Sequence, residues 1–387
     1  MTAIPYARQS ISEADVAAVV RVLRSDWLTQ GPDIARFEEA VAGYCGARHA
    51  IAVSNGTAAL HLACLALDLG PGDLLWTSPN TFAASANCAR YCGADVDFVD
   101  IDARTYNLSV PALEEKLVRA KQAGRLPKVV VPVHFGGQSC DMLPIRNLAA
   151  RYGFRVVEDA SHAIGAEYGQ SKVGACPHSD IAVFSFHPVK ILTTGEGGML
   201  MTNDDGIARR LRLLRSHGIT RDVSEMVGES EGPWHYEQVA LGYNYRMTDI
   251  QAALGASQLR RLEGFLARRR ELVRRYDSAL SGLPLATPLE DTRGRSAWHL
   301  YVIQLELETA GLSRRAVFER MRAAGVLVNV HYAPVHRQPY YRDLGFRKGD
   351  FPASERFYER AISLPLYFDL TDASQDRVCA VLRESLH

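Results

Sequence analysis

One segment of the chain reads His49-Ala-Ile-Ala-Val-Ser-Asn-Gly-Thr-Ala-Ala-Leu-His-Leu-Ala-Cys-Leu-Ala-Leu-Asp-Leu-Gly70. It opens on an apolar run, His49–Val53, which predicts a buried β-strand. A small glycine loop then leads into a helical pattern, Thr57–Leu69, which Gly70 ends. A strand joined to a helix in this way is the repeating unit of an α/β fold.

The same alternation continues from about residue 49 to residue 200. Further strands are predicted at Asp73–Trp76, Asp95–Val99, Lys128–Val133, Arg155–Glu158 and Asp180–Phe184. Helices are predicted at Thr81–Cys92 and Met142–Tyr152, and each ends at a glycine. We therefore predict an α/β fold with a mainly parallel central sheet, which binds its ligand at the carboxyl ends of the strands.

The second half of the chain has a different pattern. Thr248-Asp-Ile-Gln251 is a capping-box signature, and it predicts the start of a long helix that reaches about Leu280. Beyond it, strands at Trp298–Leu305 and Val326–Val330 flank a helix at Ser313–Ala324. A chain of 387 residues suits two domains. We predict a large domain with an N-terminal segment at 1–254 and a smaller C-terminal α+β domain at 255–387.

Composition excludes several classes of partner. The 44 basic and 44 acidic residues cancel, so no basic field predicts binding to nucleic acid or to an anionic membrane. The N-terminus has no apolar signal core, and no segment reaches the roughly 20 apolar residues of a membrane span. Seven cysteines without a CxxC pair fit reduced thiols, and we expect a cytoplasmic protein. His331 and His336 have no further ligand pattern around them, so no metal is predicted.

Lys190 is the most informative single residue. Only six of the 44 basic residues are lysine, at positions 116, 121, 128, 172, 190 and 348. An amine can lose its proton and form a Schiff base, whereas a guanidinium cannot. Five of these lysines lie in polar stretches, but Lys190 follows a buried strand and precedes the glycine-rich Thr193–Gly198. We therefore predict that Lys190 is catalytic.

Other strand ends carry groups that suit pyridoxal phosphate. The helix start at Gly56 and Thr57, with the Ser185 hydroxyl, would bind a phosphate dianion. Asp159 would keep the ring nitrogen of the coenzyme protonated, so that the ring accepts electrons. Taken singly, each has a simpler interpretation: the glycine loop could be an ordinary helix cap, and Asp159 could cap a turn. Their order, each after a successive strand, favours the coenzyme site.

Two aromatic residues are weaker candidates. Phe82 could lie over the coenzyme ring by stacking, although such a phenylalanine is more often part of a core. His162 could orient Asp159 or line the pocket, and it could equally be a hydrogen-bonded core histidine. Tyr168 and Lys172 match the YxxxK spacing of short-chain dehydrogenases, but that chemistry needs a helix and this segment is flanked by glycine.

Several motifs together resemble the DegT/DnrJ/EryC1/StrS sugar aminotransferases, which are fold-type I pyridoxal phosphate enzymes. The resemblance spans nearly the whole chain. It rests on Ser54-Asn-Gly-Thr-Ala-Ala-Leu60, Glu158-Asp-Ala-Ser-His-Ala-Ile-Gly165, Phe184-Ser-Phe-His-Pro-Val-Lys190, Gly195-Glu-Gly-Gly198 and Asn244-Tyr-Arg-Met-Thr-Asp-Ile-Gln251.

A narrower likeness is to the transaminases of pseudaminic acid biosynthesis. It rests on Asp159-Ala-Ser-His162, Val133-His-Phe-Gly-Gly-Gln-Ser-Cys-Asp141, Gly232-Pro-Trp-His-Tyr-Glu-Gln238 and Val328-Asn-Val-His-Tyr-Ala-Pro-Val-His336. It implies that glutamate donates an amino group to C4 of UDP-2-acetamido-2,6-dideoxy-β-L-arabino-hex-4-ulose. The product would be UDP-4-amino-4,6-dideoxy-N-acetyl-β-L-altrosamine. Phe135-Gly-Gly137 departs from the Leu-Ala-Gly expected after the histidine, which affects the expected pocket shape.

The resemblance also implies roles for individual residues. The coenzyme would be held by Gly56, Thr57, Phe82, Asp159, His162, Ser185 and Lys190, with Asn244 reaching in from the second subunit of a homodimer. The nucleotide sugar would meet Gly56, Ser185 and Asn244 again, together with Tyr6, Asp26, Trp27, Leu28, Thr29, His331, Tyr332, Ala333 and Pro334.

Three alternatives remain at this stage. A sugar dehydratase of the same fold is one, although relatives of that kind replace the lysine with histidine. A non-catalytic nucleotide-sugar binder or regulatory partner is another. Within the enzymes, the alternative is a sister aminotransferase that uses another UDP- or dTDP-4-keto-6-deoxy sugar.

Overall fold

A computed structural model of the chain describes residues 3–307 and 313–386. Its strands are β1 (Ile4–Pro5), β2 (His49–Val53), β3 (Leu74–Thr77), β4 (Asp95–Phe98), β5 (Val129–Val131), β6 (Arg155–Asp159), β7 (Glu167–Tyr168), β8 (Ser171–Lys172), β9 (Ile181–Ser185), β10 (Gly198–Thr202), β11 (Ile219–Thr220), β12 (Glu237–Gln238), β13 (Leu285–Ala286), β14 (Gly294–Arg295), β15 (Tyr301–Leu305), β16 (Val326–Leu327) and β17 (Ala361–Leu364).

The α-helices of these residues alternate with the strands in the first half of the chain. They are α1 (Glu13–Leu23), α2 (Pro32–Cys45), α3 (Gly56–Ala66), α4 (Ala84–Tyr91), α5 (Val110–Gln122), α6 (Met142–Tyr152), α7 (Asp205–Leu214), α8 (Asp249–Leu259), α9 (Leu262–Ala279), α10 (Arg314–Ala323), α11 (Pro339–Asp343), α12 (Pro352–Arg360) and α13 (Asp372–Ser385). None of the helices in the described part of the chain is long and apolar enough to cross a membrane.

The central sheet has seven strands in the order β2-β10-β9-β6-β5-β3-β4. The β9-β6-β5-β3-β4 part is parallel throughout, whereas β10 runs antiparallel to both β2 and β9. The predicted mainly parallel α/β fold is therefore confirmed. Helices α3, α4 and α7 contribute to an apolar core on one face, and α2, α8 and α9 contribute to the core on the other. Because both faces are covered, the strands are almost wholly buried.

Two differences from the sequence prediction affect the central sheet and the helix that follows it. Strand β10 was not predicted; it is fully buried between β2 and β9. The long helix predicted from Thr248 to about Leu280 is interrupted, since α8 ends at Leu259 and α9 begins at Leu262. At the interruption, Arg261 donates hydrogen bonds to the Ser10 carbonyl and to the buried Asp15 carboxylate, which ties the N-terminal segment to this point. The capping box at Thr248 and Gln251 is present as predicted.

A separate apolar core lies in the C-terminal part of the chain. The antiparallel sheet β13-β15-β17 packs with α9, α10 and α13 around buried aromatic and aliphatic side chains. Arg269 of α9 is buried there and donates to the carbonyl oxygens of Trp298, His299 and Leu366. The division into domains at 1–254 and 255–387 stays a prediction, and its outer ends, residues 1 and 387, lie outside the described residues.

Candidate active site

A cavity of about 1030 Å³ opens at the carboxyl ends of the parallel strands. Most of the residues that the sequence singled out line it, although they come from distant parts of the chain. These are Tyr6, Gly56, Thr57, Phe82, Asp159, His162, Ser185, Lys190, His331 and Tyr332. The strand topology explains this convergence, because parallel strands end at a common edge of the sheet.

The start of α3 forms an anion cradle on one side of the cavity. Asn55 caps the helix and accepts a hydrogen bond from the Ala58 amide, so the amides of Gly56 and Thr57 lie at the helix N-terminus without an intrahelical partner. A Cβ at position 56 would lie 3.0 Å from the Ser185 Cβ, so any side chain there would push Ser185 away by a few tenths of an ångström. The helix dipole, two amides and two hydroxyls therefore converge where a phosphate would bind.

Asp159 lies at the end of β6 and is buried. Its Oδ2 accepts a hydrogen bond of 2.6 Å from the Ser85 hydroxyl, and its Oδ1 accepts one of 3.1 Å from the Ser161 amide. The Ser85 hydroxyl is also 2.7 Å from that of Thr81. A buried carboxylate held in this way can accept a further hydrogen bond from a cationic ring nitrogen.

Lys190 lies in the turn after β9, where its amide donates to the His187 carbonyl. Its side chain is half-buried along the cavity wall. Burial lowers the pKa of the Lys190 amine to about 8, and the charge of Asp159 opposes part of this shift. The site therefore favours the neutral, nucleophilic form of the amine far more than water does.

Three imidazoles border this amine. His162 and His299 lie with ring centroids 4.4 Å apart, and His331 donates to or accepts from the Ser363 hydroxyl at 2.8 Å. Burial, reinforced by the positive charge of Lys190, lowers the pKa of His331 to about 3 and those of His162 and His299 well below their ordinary value. All three are therefore neutral at physiological pH.

Phe82 is the most exposed of the predicted cavity residues, with 63% of its surface accessible. Its ring centroid lies 6.3 Å from that of Tyr332 across the cavity mouth. An aromatic side chain that is exposed only because it faces a cavity is available to cover a planar ligand. Its proposed stacking role stays a prediction.

Some predicted residues lie outside this cavity. Asn244 is exposed, forms an isolated β-bridge with Ser216 and is not among the residues that line the cavity. The residues Asp26, Trp27, Leu28 and Thr29 are exposed on the surface between α1 and α2, with Trp27 55% accessible. Ala333 is half-buried and Pro334 is buried, and neither lines the cavity. Within a single chain, these residues therefore do not contribute to the cavity that contains Lys190.

Other residues line the cavity that the sequence did not single out. His299, Asn329, His61, Tyr243 and Tyr245 are among them. The only local signal was position: His299 lies within the predicted strand Trp298–Leu305, just before the observed strand β15, and the two tyrosines flank Asn244. The short-chain dehydrogenase pattern is ruled out geometrically, because Tyr168 and Lys172 lie on the adjacent strands β7 and β8 rather than on one helix.

The arrangement fits pyridoxal phosphate. Gly56, Thr57 and Ser185 would hold the phosphate, Asp159 the ring nitrogen, and Lys190 the aldehyde carbon. The buried Asp159 carboxylate and the adjacent amine of lowered pKa are what this coenzyme requires, and each would be costly to keep in a site without a ligand. Among the residues that the structure describes, no group of three or more histidine, cysteine or acidic side chains is arranged to hold a metal ion.

Comparisons with known proteins agree with this chemistry. A protein-family model described as the DegT/DnrJ/EryC1/StrS aminotransferase family matches residues 9–383. The spore coat polysaccharide biosynthesis protein SpsC of Bacillus subtilis (strain 168) is 41% identical over 384 residues, which cover 98% of this chain and 96% of SpsC.

Solved structures extend the similarity to the whole architecture. Helicobacter pylori PseC, an aminotransferase involved in the biosynthesis of pseudoaminic acid, superposes with a TM-score of 0.90 at 29% identity, covering 100% of this chain and 99% of PseC. The putative sugar aminotransferase Spr1654 of Streptococcus pneumoniae in its PLP form superposes with a TM-score of 0.88 at 30% identity, covering 99% and 98% of the two chains.

Proposed function

Because the chain belongs to the DegT/DnrJ/EryC1/StrS aminotransferase family, we propose that it transfers an amino group from glutamate to C4 of UDP-2-acetamido-2,6-dideoxy-β-L-arabino-hex-4-ulose. The product is UDP-4-amino-4,6-dideoxy-N-acetyl-β-L-altrosamine, an intermediate of pseudaminic acid biosynthesis. That the chain is a pyridoxal phosphate-dependent sugar aminotransferase of fold type I follows from the family and its neighbours. The choice of sugar is the proposal.

One observation carries the reaction class. Lys190, Asp159 and the Gly56–Thr57 cradle meet in a single cavity, although the chain brings them from three different strand ends. Bound pyridoxal phosphate supplies an electron sink for the carbanion that forms when an amino acid loses its Cα proton. The buried Asp159 carboxylate would keep a proton on the ring nitrogen that this electron sink needs.

The chain's own residues then move the proton. With its pKa lowered to about 8, the Lys190 amine accepts a proton at near-neutral pH and returns it to a neighbouring carbon. Phe82 and Tyr332 narrow the mouth of the cavity and limit access of water to the reacting atoms. The neutral His162, His299 and His331 do not compete with Lys190 for the proton.

Support for the sugar comes from PseC, which is involved in the biosynthesis of pseudoaminic acid and which aligns over the whole chain. The second candidate is a sister aminotransferase that acts on another UDP- or dTDP-4-keto-6-deoxy sugar. The higher identity to SpsC, a protein of spore coat polysaccharide biosynthesis, favours that alternative.

The seven thiols are free in the structure, which suits a reducing cytoplasm.

We further propose a homodimer whose subunits share their active sites. Asn244 and the Asp26–Thr29 segment are exposed and lie outside the cavity of their own chain, so a second subunit is the partner that would give them a role.

A panel of 4-keto nucleotide sugars with glutamate, followed by mass spectrometry, tests the proposed substrate. The expected result is one amino sugar from the UDP-linked β-L-arabino 4-ulose, with 2-oxoglutarate formed in equal amount. Faster turnover of a different 4-keto sugar supports the sister enzyme instead. Loss of water from a sugar without 2-oxoglutarate contradicts transamination and supports a dehydratase.

A further inference from the structure

A buried pair of side chains, His134 and Glu158, lies on the side of β6 away from the cavity. Glu158 directly precedes Asp159 in β6, and successive side chains of a strand point to opposite faces of the sheet. Val133 and Asp159 line the cavity, whereas His134 and Glu158 are not among the residues that line it. Any effect of this pair on a ligand in the cavity must therefore pass through the backbone.

The two side chains are hydrogen-bonded to each other. Nε2 of His134 lies 2.6 Å from Oε2 of Glu158, and the Ser179 hydroxyl donates to Oε1 of the same carboxylate. The Cys140 amide donates to Nδ1 of His134 at 3.0 Å, so in the neutral imidazole the hydrogen lies on Nε2. Burial lowers the pKa of His134, but its contacts with Cys140 and Glu158 outweigh burial and raise the pKa to about 10. Nε2 carries a hydrogen in both charge states, so His134 donates and Glu158 accepts.

His134 also holds the backbone of Asp159. The His134 amide donates to the Asp159 carbonyl oxygen at 3.0 Å, and the Asp159 amide donates to the Pro132 carbonyl oxygen at 2.9 Å. These bonds extend the ladder between β5 and β6 beyond Val131, where β5 ends. Pro132 accepts in this ladder but has no amide hydrogen to donate. His134 therefore holds both acidic residues at the end of β6, Glu158 through its imidazole and Asp159 through its backbone.

A buried pair of this kind is weak evidence for stability. Taking an imidazole and a carboxylate out of water costs free energy that their contact only partly returns, and apolar residues of similar volume often serve as well. His134 is fully buried and Glu158 nearly so. Directional hydrogen bonds do what apolar packing would not, because they fix how the ends of β5 and β6 lie against each other beside Asp159.

We propose that His134 and Glu158 are positioning residues, which hold the end of β6 so that the Asp159 carboxylate faces the ring nitrogen of bound pyridoxal phosphate. The inference rests on the proposed role of Asp159 and goes beyond it. The Ser85 hydroxyl and the Ser161 amide orient the carboxylate itself, whereas the buried pair fixes the backbone from which this side chain projects. A misplacement of about 1 Å can cost on the order of 100-fold in rate, so a support of this kind affects turnover.

The first test measures hydrogen exchange in the coenzyme-free protein by mass spectrometry. Glu158→Met removes the acceptor of the His134 imidazole, so the peptide that contains the Asp159 amide should exchange at least about tenfold faster than in the wild type. Glu355→Met is the matched control, because it removes the acceptor of another buried imidazole, that of His336 at 2.8 Å. It should leave this peptide unchanged. Unchanged exchange in Glu158→Met, or equal acceleration in both variants, would overturn the proposal.

The second test is a double-mutant cycle in the holoenzyme. Glu158→Met alone should lower kcat/KM for glutamate about tenfold, the scale of losing one hydrogen bond to a charged group. In the Asp159→Asn background the same substitution should cost less than about twofold, because the carboxylate that the pair positions is already gone. Equal losses in the two backgrounds would mean that the pair supports the fold rather than Asp159, and would overturn the proposal.

Glu158→Gln separates the geometry of the pair from its charge. A glutamine can accept from His134 through its carbonyl and donate to the Ser179 hydroxyl through its amide, so both contacts remain. We expect kcat/KM within about threefold of the wild type, which is rescue by the conservative variant. A loss as large as that of Glu158→Met would assign the effect to the charge of Glu158 and overturn the positioning role.

Failure of the proposed function would look different. Full activity in Asp159→Asn alone, or purified wild-type protein that binds no coenzyme, would remove the role of Asp159 whatever the exchange measurement showed. If Glu158→Met does not fold, Ser179→Ala takes its place, since it removes one hydrogen bond to Glu158 from a half-buried hydroxyl. It should change exchange and kcat/KM in the same direction by a smaller factor, and no change in either would overturn the proposal.

Discussion

Ser85 donates a hydrogen bond of 2.6 Å to Oδ2 of Asp159, and so links the first turn of α4 to the carboxylate at the end of β6. The two residues are 74 positions apart in sequence. The hydrogen bond orients one carboxylate oxygen of Asp159, and because its donor is a neutral hydroxyl it brings no opposite charge to the carboxylate. Asp159 is thereby prepared to interact with a cationic ring nitrogen without a rearrangement when the coenzyme binds.

The first prediction concerns the charge of Asp159. Asp159→Asn is nearly isosteric, but a neutral amide does not keep the ring nitrogen protonated. We expect kcat/KM for glutamate to fall by at least about 100-fold, the scale of losing one preorganised electrostatic contact. The Ser85→Ala control keeps the carboxylate and loses one charge-assisted bond, so its loss should be on the order of tenfold. Equal losses in the two variants would contradict the role given to the charge.

The second prediction concerns the contact between α3 and β9. In Gly56→Ala, the added Cβ would lie 3.0 Å from the Cβ of Ser185 and 3.2 Å from its Oγ, so Ser185 must move. Coenzyme affinity, measured by fluorescence titration of the coenzyme-free protein, should fall on the order of tenfold, equivalent to about 1.4 kcal/mol. The control Gly43→Ala places its Cβ in open space on α2 and should leave affinity unchanged. Unaltered affinity in Gly56→Ala would show that the cradle does not hold the phosphate.

The third prediction uses the pKa of Lys190 to relate stability to pH. The folded-state pKa is about 8, below the ordinary value of 10.5, so between these values the unfolded chain binds more protons. Below pH 8 the amine is protonated in the folded and the unfolded state, so burial of its charge lowers the free energy of unfolding by the full amount. As the pH rises towards 10.5, this destabilisation disappears. In coenzyme-free protein, Lys190→Met should raise the free energy of unfolding at pH 7, and this gain should shrink at pH 10. Urea unfolding at both pH values measures it, and a gain that does not change with pH would contradict the shift.

The fourth prediction concerns the shared sites of the proposed homodimer. Lys190→Ala and Asn244→Ala should each be nearly inactive alone, because each substitution removes a required residue from both active sites of its own homodimer. Hybrid dimers of the two variants contain one site with both residues intact, so mixing after mild denaturation should restore part of the activity. If both residues served the same chain's site, mixing would restore nothing. A mixture of Lys190→Ala with Asp159→Asn provides the control, since those residues line one cavity.

The sequence predicted the parallel sheet because its signals are local. The parallel strands β3, β4, β5, β6 and β9 are each a short apolar run ended by polar or glycine residues. Helix α6 matches its predicted bounds of Met142–Tyr152. Strand β10 was missed because its five residues continue directly from the glycine-rich loop that follows Lys190, and this loop obscures where the strand begins. The sequence prediction missed the interruption between α8 and α9 because the apolar periodicity continues across Arg261. The hydrogen-bond partners of Arg261 lie far away in sequence.

Within the site, the sequence predicted which residues carry the chemistry, but it did not predict their hydrogen-bond partners. Lys190 and Asp159 stand out because an amine and a carboxylate at buried strand ends are unusual. Ser85 lay inside a predicted helix, and nothing local marks it as the partner of Asp159. The link from His162 to Tyr332 joins positions 170 residues apart and depends on how the C-terminal part of the chain packs over the sheet.

The central claim is that the Lys190 amine holds the coenzyme, and borohydride reduction of the native holoenzyme tests it most directly. Reduction should fix the coenzyme covalently, and a tryptic map should show the label on the peptide that contains Lys190, with none on the exposed Lys348. Label on any other lysine, or no covalent label at all, would contradict the account.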